Sequence, residues 1–213
     1  MNDITNNEMA FVLGIFKSPE IEYNSSSIAK YIGLSRMGAL KIAKRLEKGN
    51  IISSKELGKA KFYSLNLNND YVRQYVKFLL KREAEQANPY VKVWIDDLKK
   101  IKSAETAILF GSVLRKDKQA NDIDVLFIIK DKKQFLRLKK EVEEINMMHT
   151  KKVHPMFQAS EDFKSNIKKA DKPLLNAIKG KVVFGEEIML SFCYMAFCCF
   201  DTWLCFDKSP MRI

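Results

Sequence analysis

Cysteine is missing from the first 192 residues of this 213-residue chain, and all four cysteines, Cys193, Cys198, Cys199 and Cys205, fall in the last stretch. Their spacing has no C-x-x-C pairing of the kind that builds a zinc site, and thiols confined to one end make no disulfide framework. An export signal is also lacking: MNDITNNEMAFVLG has no positively charged start, apolar segment and small-residue cleavage site in that order. Residues 188–200 are almost wholly apolar, but thirteen residues are too few for a membrane-crossing helix, which needs about 20, and Asp201 follows directly. These absences predict a cytoplasmic protein without a membrane anchor.

Positive charge is plentiful. The chain carries a net charge of +11 with a pI near 9.4, and its 46% hydrophobic content suffices for buried cores. Such a balance favours an anionic partner, nucleic acid among them, although lysine-rich surfaces also serve solubility.

The charge is not spread evenly. Met9, Val12, Leu13 and Phe16 recur at helical spacing, Ser25 to Ile32 reads as a second helix behind a serine cap, and Gly33 breaks it. Ser35 caps a third helix with Leu40, Ala43 and Leu46 inward, which stops at Gly49 in an expected left-handed conformation. Ile51 and Ile52 then open a strand, Gly58 marks a turn, and Lys61 to Leu65 returns. Between Arg36 and Lys61 lie eight lysines or arginines against two glutamates, so the positive surplus sits on one helix-turn-helix and hairpin.

The stretch SSSIAKYIGLSRMGALKIAKRLEKGNIISSKELGKAKFYSLN resembles a winged helix-turn-helix of the bacterial and archaeal regulator type. The resemblance implies that the helix from Arg36 to Lys48 enters a DNA major groove with Arg36, Lys41, Lys44 and Arg45 outward, while Lys59 and Lys61 on the wing touch phosphates. Such modules also serve as homodimer or protein-docking surfaces, with their lysines simply solvated.

From Asp70 a longer helix is expected, with Val72, Val76, Leu79 and Leu80 on one stripe. Asn88-Pro89 breaks it and starts another helix carrying Val91, Trp94, Leu98 and Ile101. Beyond residue 105 the order is strand (Thr106 to Phe110), Gly-Ser turn, basic loop, strand (Ile123 to Ile129), helix (Phe135, Leu138, Val142, Ile145 inward), strand (Lys152 to Gln158), then further helices. Residues two apart in a strand share a face, so Asp122 and Asp124 project together and repel each other unless a cation lies between them. Paired carboxylates of this kind suit magnesium, and a glycine followed by a serine and a helix start suits a phosphate.

Gly111-Ser112, nine residues and then Asp122-Ile123-Asp124, set between two apolar strands, resemble the nucleotidyltransferases of the DNA polymerase β superfamily, particularly the minimal domains of prokaryotes. That resemblance implies Gly111 and Ser112 as nucleotide-binding residues, Asp122 and Asp124 as catalytic ligands of Mg2+ or Mn2+, and an NTP as substrate or ligand. The acceptor stays open, since related minimal domains act as antitoxins that modify a toxin partner. The family's third carboxylate belongs on the next strand, where KKVHPMF puts His154 instead. Imidazole is a poor magnesium ligand, an acceptable one for manganese or zinc, and a general base near neutral pH. His154 therefore reads as an altered ligand, as a base, or as a substitution in a domain that binds nucleotide without transferring it. Glu161 and Asp162 suit the first turn of a following helix better than the site, and Arg115, Lys116 and Lys118 suit either a phosphate or a solvated loop.

The whole predicts an α+β chain: a winged helix-turn-helix with its linker helix over residues 1–86, a polymerase β-like α/β domain with a small mixed sheet over 87–187, and an apolar tail over 188–213 suited to a protein partner. The function expected is transfer of a nucleoside monophosphate to an acceptor, coupled to DNA binding. The alternative is a DNA-binding transcriptional regulator whose second domain only binds nucleotide or a partner.

Overall fold

A computed structural model of the protein describes residues 4–191. Most of the apolar tail, from residue 192 on, lies outside the described residues. The chain divides into two compact units, one on either side of Glu83 and Ala84.

The first unit runs α1 (Asn6–Phe16), β1 (Tyr23–Asn24), α2 (Ser25–Ile32), α3 (Arg36–Lys48), β2 (Ile52–Leu57), β3 (Ala60–Leu65) and most of α4 (Asp70–Glu85). Thr5 and Glu8 start α1 reciprocally: the Thr5 hydroxyl accepts from the Glu8 N–H, and the Glu8 carboxylate accepts from the Thr5 N–H at 3.1 Å. The cap of α2 is Asn24 rather than a serine, its Oδ1 accepting from the Ser26 and Ser27 N–H groups at 2.9 Å each. Asn24 can do this because it ends β1 in extended backbone, the geometry a cap residue needs.

Two expectations for α3 need correction. Its inner face is Ala39, Ala43 and Leu46, spaced i, i+4, i+7, and Leu40 lies half-buried on the flank. Gly49 has φ −81°, and Asn50 takes the left-handed turn with φ 54°. Ile51 N–H bonds back to the Leu46 carbonyl and Asn50 N–H to that of Glu47, both at 2.9 Å, a pattern that needs its left-handed residue just before the buried Ile51. Asparagine is the side chain best able to replace glycine there. Asn66 then clasps it, donating from Nδ2 to the Asn50 carbonyl and Oδ1.

The sheet of this unit is ordered β1-β3-β2, all antiparallel, with Tyr23 opposite Tyr63 and Ser53 opposite Ser64. The α4 stripe of Val72, Val76, Leu79 and Leu80 is wholly buried. Near its end, Glu83 holds the buried Lys17 ammonium at 2.5 Å, so a charge under the surface has its counterion.

The second unit contains α5 (Pro89–Leu98), β4 (Thr106–Phe110), α6 (Val113–Lys116), β5 (Ile123–Ile129), α7 (Phe135–Met148), β6 (Val153–Ala159), α8 (Ser160–Lys168), α9 (Lys172–Ala177) and β7 (Lys181–Phe184). Its four-stranded sheet is mixed, in the order β6-β5-β4-β7, with only β5 and β6 parallel. Val125, Phe127 and Ile129 of β5 pack with Val91, Trp94 and Leu98 of α5 and with Leu138, Val142 and Ile145 of α7. Phe135 is not among these inward residues. It opens α7, remains 37% exposed, and rests edge-on against Phe157 at 4.9 Å between ring centres.

The sequence also led to helices alone after α8, where the structure adds β7. Gly180 admits it, because a Cβ there would collide with the Leu109 carbonyl and Phe110. Among the described residues, no helix is long and apolar enough to cross a membrane.

Candidate functional site

Strand register builds the site. Phe110, the last residue of β4, pairs with Asp124 on β5, and Asp124 pairs on its other side with His154 on β6. Just past Phe110 the backbone turns at Gly111 with φ 80°, and a Cβ there would run into the Asp124 carboxylate. Glycine is thus demanded twice, by conformation and by the close approach of Asp124.

Asp122 is exposed just before β5 begins, Asp124 is half-buried, and His154 is exposed over 76% of its side chain. The His154 Nδ1 is 3.3 Å from Asp124 Oδ1. One ligand atom from each of Asp122, Asp124 and His154 lies within 4.8 Å of the others, the one such trio of His, Cys, Asp or Glu side chains among the described residues. Ligand atoms around a single divalent ion with bonds of about 2.1 Å stand about 3 to 4.2 Å apart, so a small closure of this trio suffices to hold one. Two carboxylates and one imidazole fit a divalent cation and favour manganese or zinc over magnesium.

Ser112 begins α6 without using its hydroxyl as a cap, and among the described residues that hydroxyl has no hydrogen-bond partner. The helix start expected after it is one turn of four residues, so its backbone offers little beyond the local N–H groups. Arg115, Lys116 and Lys118 are exposed.

The loop between Ser112 and Asp122 is tied down by residues that no motif marks. The Lys151 ammonium donates to the Lys118 carbonyl and, at 2.5 Å, to that of Ala120, and it lies 5.5 Å from the centre of the Tyr90 ring. Asn88, which caps α5, also donates from Nδ2 to Asp117 at 2.5 Å. Lys151 stands near these carbonyls only because β6 pairs with β5, so its sequence position alone gives no hint of it. Glu161 and Asp162 sit exposed in the first turn of α8, where Glu161 pairs with Lys164 at 2.7 Å, and neither joins the trio.

The six cations expected to meet DNA fall into two groups. Arg36, Lys41, Lys44 and Lys59 are exposed and make no ion pair among the described residues. Arg45 pairs with the buried Glu8, and Lys61 pairs with Glu47 at 2.8 Å. Burial pushes the Glu47 carboxyl up, but hydrogen bonds from Lys61 and Ser54 outweigh it and leave it below the usual carboxylate range. The Glu47 hydrogen bond raises the Lys61 ammonium in turn.

Residues 94–179 match the family model described as Polymerase beta, Nucleotidyltransferase, a span that contains Gly111, Ser112, Asp122, Asp124 and His154. No curated protein and no solved structure matches the chain.

Proposed function

We propose that the second unit transfers a nucleoside monophosphate from an NTP to an acceptor, and that the first unit is a winged helix that binds DNA. The observation carrying the first part is the trio of Asp122, Asp124 and His154 gathered beside the Gly111-Ser112 turn, within the span of the family match. The Ser112 hydroxyl and the open backbone at Gly111 receive the triphosphate, while Asp122 and Asp124 supply the carboxylate ligands. A divalent cation bound there would neutralise phosphate charge and help align the α-phosphate for in-line attack by the acceptor hydroxyl, the bond to the β-phosphate breaking with release of pyrophosphate. His154 completes the donor set or accepts the proton of the attacking hydroxyl, one task excluding the other while Nδ1 is engaged. The acceptor is a protein or a small molecule with a free hydroxyl.

The test is incubation with α-labelled NTPs and Mg2+ or Mn2+, with candidate acceptors and with the protein alone. Label should appear on an acceptor and vanish in Asp122→Asn and Asp124→Asn. Transfer that persists in both variants, or no transfer under any condition, sinks the enzymatic reading.

A second reading is supported by His154 standing where the family keeps a carboxylate. On it the domain binds NTP without transfer and the protein is a DNA-binding regulator. Saturable NTP binding with no label transfer selects it.

Support for DNA binding comes from Arg36, Lys41 and Lys44 on α3 and from Lys59 at the hairpin tip, all exposed and without an ion pair among the described residues. A mobility shift that weakens steeply with salt is the expected result.

A further inference from the structure

A pocket of about 590 Å³ opens in the first unit between α1, the end of α3 and α4. That size suits a small organic ligand, and the walls are mostly apolar, with Leu46 and Ile51 on one side and Tyr71, Tyr75 and Phe78 on the other. The three aromatics recur at i, i+4 and i+7 on α4 and form a second stripe on the flank of the one that faces the core. Tyr71 and Phe78 are more than half exposed although large and apolar.

Arg82 lies one turn beyond Phe78 on the same stripe, half-buried in the pocket wall. Among the described residues, three charged side chains line this pocket: the buried Glu8, Arg45 and Arg82. Glu8 and Arg45 neutralise each other as an ion pair, so Arg82 is left over. Among the described residues it has no ion pair or hydrogen bond. The Tyr75 hydroxyl completes the polar group: burial pushes it up, while Arg45 and Arg82 are both near enough to pull it the other way. Among the described residues this half-buried guanidinium has no counterion, and it shares the pocket wall with a phenol and two further aromatic rings, so the group that complements it is a negative charge.

We infer that this pocket binds a small monoanion with a flat apolar body, of the aromatic carboxylate class. The carboxylate meets Arg82 and the Tyr75 hydroxyl, and the ring lies among Tyr71, Phe78, Leu46 and Ile51. The site uses no residue of the Asp122, Asp124 and His154 trio and does not depend on nucleotidyl transfer or on DNA binding. A single carboxylate suffices, because Arg82 is the one charge that the Glu8–Arg45 pair leaves unbalanced among the described residues of the pocket.

Calorimetric titration of the full-length protein with 2-naphthoate, and with uncharged 2-naphthamide of the same shape, tests this. Saturable binding of one naphthoate per chain is expected, at least about tenfold tighter than the amide. Arg82→Gln should abolish the preference for the acid, and Phe78→Ala should weaken both ligands, each with an unfolding midpoint near that of the parent. Equal binding of acid and amide, or no saturable naphthoate binding below about 1 mM, overturns the inference. So does a homodimer in sedimentation that Phe78→Glu splits into monomers, because a second copy would then cover the aromatic stripe.

Discussion

His154 on β6 faces Asp124 on β5 across a parallel register, with Nδ1 3.3 Å from Oδ1. On the proposed reading, an imidazole beside two carboxylates should show in the choice of metal. The protein is expected to bind Mn2+ more tightly than Mg2+, with His154→Asp shifting the balance toward Mg2+. Asp124→Asn should weaken Mn2+ binding on the order of 100-fold. Free Mn2+ measured by electron paramagnetic resonance reports both. An unchanged Mn2+ to Mg2+ ratio in His154→Asp removes His154 from the donor set.

Gly111→Ala should cost about 1–3 kcal/mol, from the left-handed backbone and from displacement of the Asp124 carboxylate. Thermal unfolding measures the loss. The same variant should lose metal affinity, whereas Gly58→Ala, at a hairpin tip with open space around it, carries only the backbone cost.

Glu141 on α7 accepts hydrogen bonds from the Lys102 N–H, the Ser103 N–H and the Ser103 hydroxyl, at 3.0, 3.0 and 2.9 Å. Burial pushes its carboxyl up, and the three bonds outweigh that and hold it below its ordinary value of 4.5. A carboxyl depressed on folding contributes stability that is complete above the unfolded value and fades as pH falls through the folded one. Stability should therefore decline below about pH 4.5, and Glu141→Gln should flatten that part of the profile while lowering stability near neutrality by about 1–2 kcal/mol. Urea unfolding from pH 3 to 7 checks it.

Lys41→Ala and Lys44→Ala should each reduce the salt dependence of DNA binding by about one unit of slope, with folding intact. Arg45→Ala should behave differently, lowering thermal stability by about 1 kcal/mol because the buried Glu8 loses its cation. Equal effects of the three on DNA and none on stability would contradict the division of the α3 cations.

Much of this was legible in the sequence. Strands β4 and β5 stand out as apolar runs flanked by polar loops, and the stripe Val72, Val76, Leu79, Leu80 has helical period, so local composition suffices for both. The two-residue β1 and the four-residue β7 carry too little pattern, and each exists only because a partner strand lies beside it. Asn50 was hidden by Gly49, since glycine tolerates a left-handed turn without requiring one. In the site, Gly111, Ser112, Asp122 and Asp124 belong to one short motif, and the family match spans them. Lys151 and Asn88 do not, because their contacts with the loop before Asp122 arise from strand pairing and helix placement. The Arg45 pairing was hidden similarly, its partner Glu8 being a whole helix-turn-helix earlier in the chain.

The position of β7 bears on how the protein is made. β4 is synthesised first of the four strands and finds β5 soon afterwards, but its other edge stays open until Lys181–Phe184 follow. A nascent or truncated chain ending before residue 181 thus presents a row of unpaired backbone groups along Ala107 to Leu109 that another chain can pair with. For expression of the second unit alone, a stop at the end of the family match would leave that edge bare, and including Phe184 closes it.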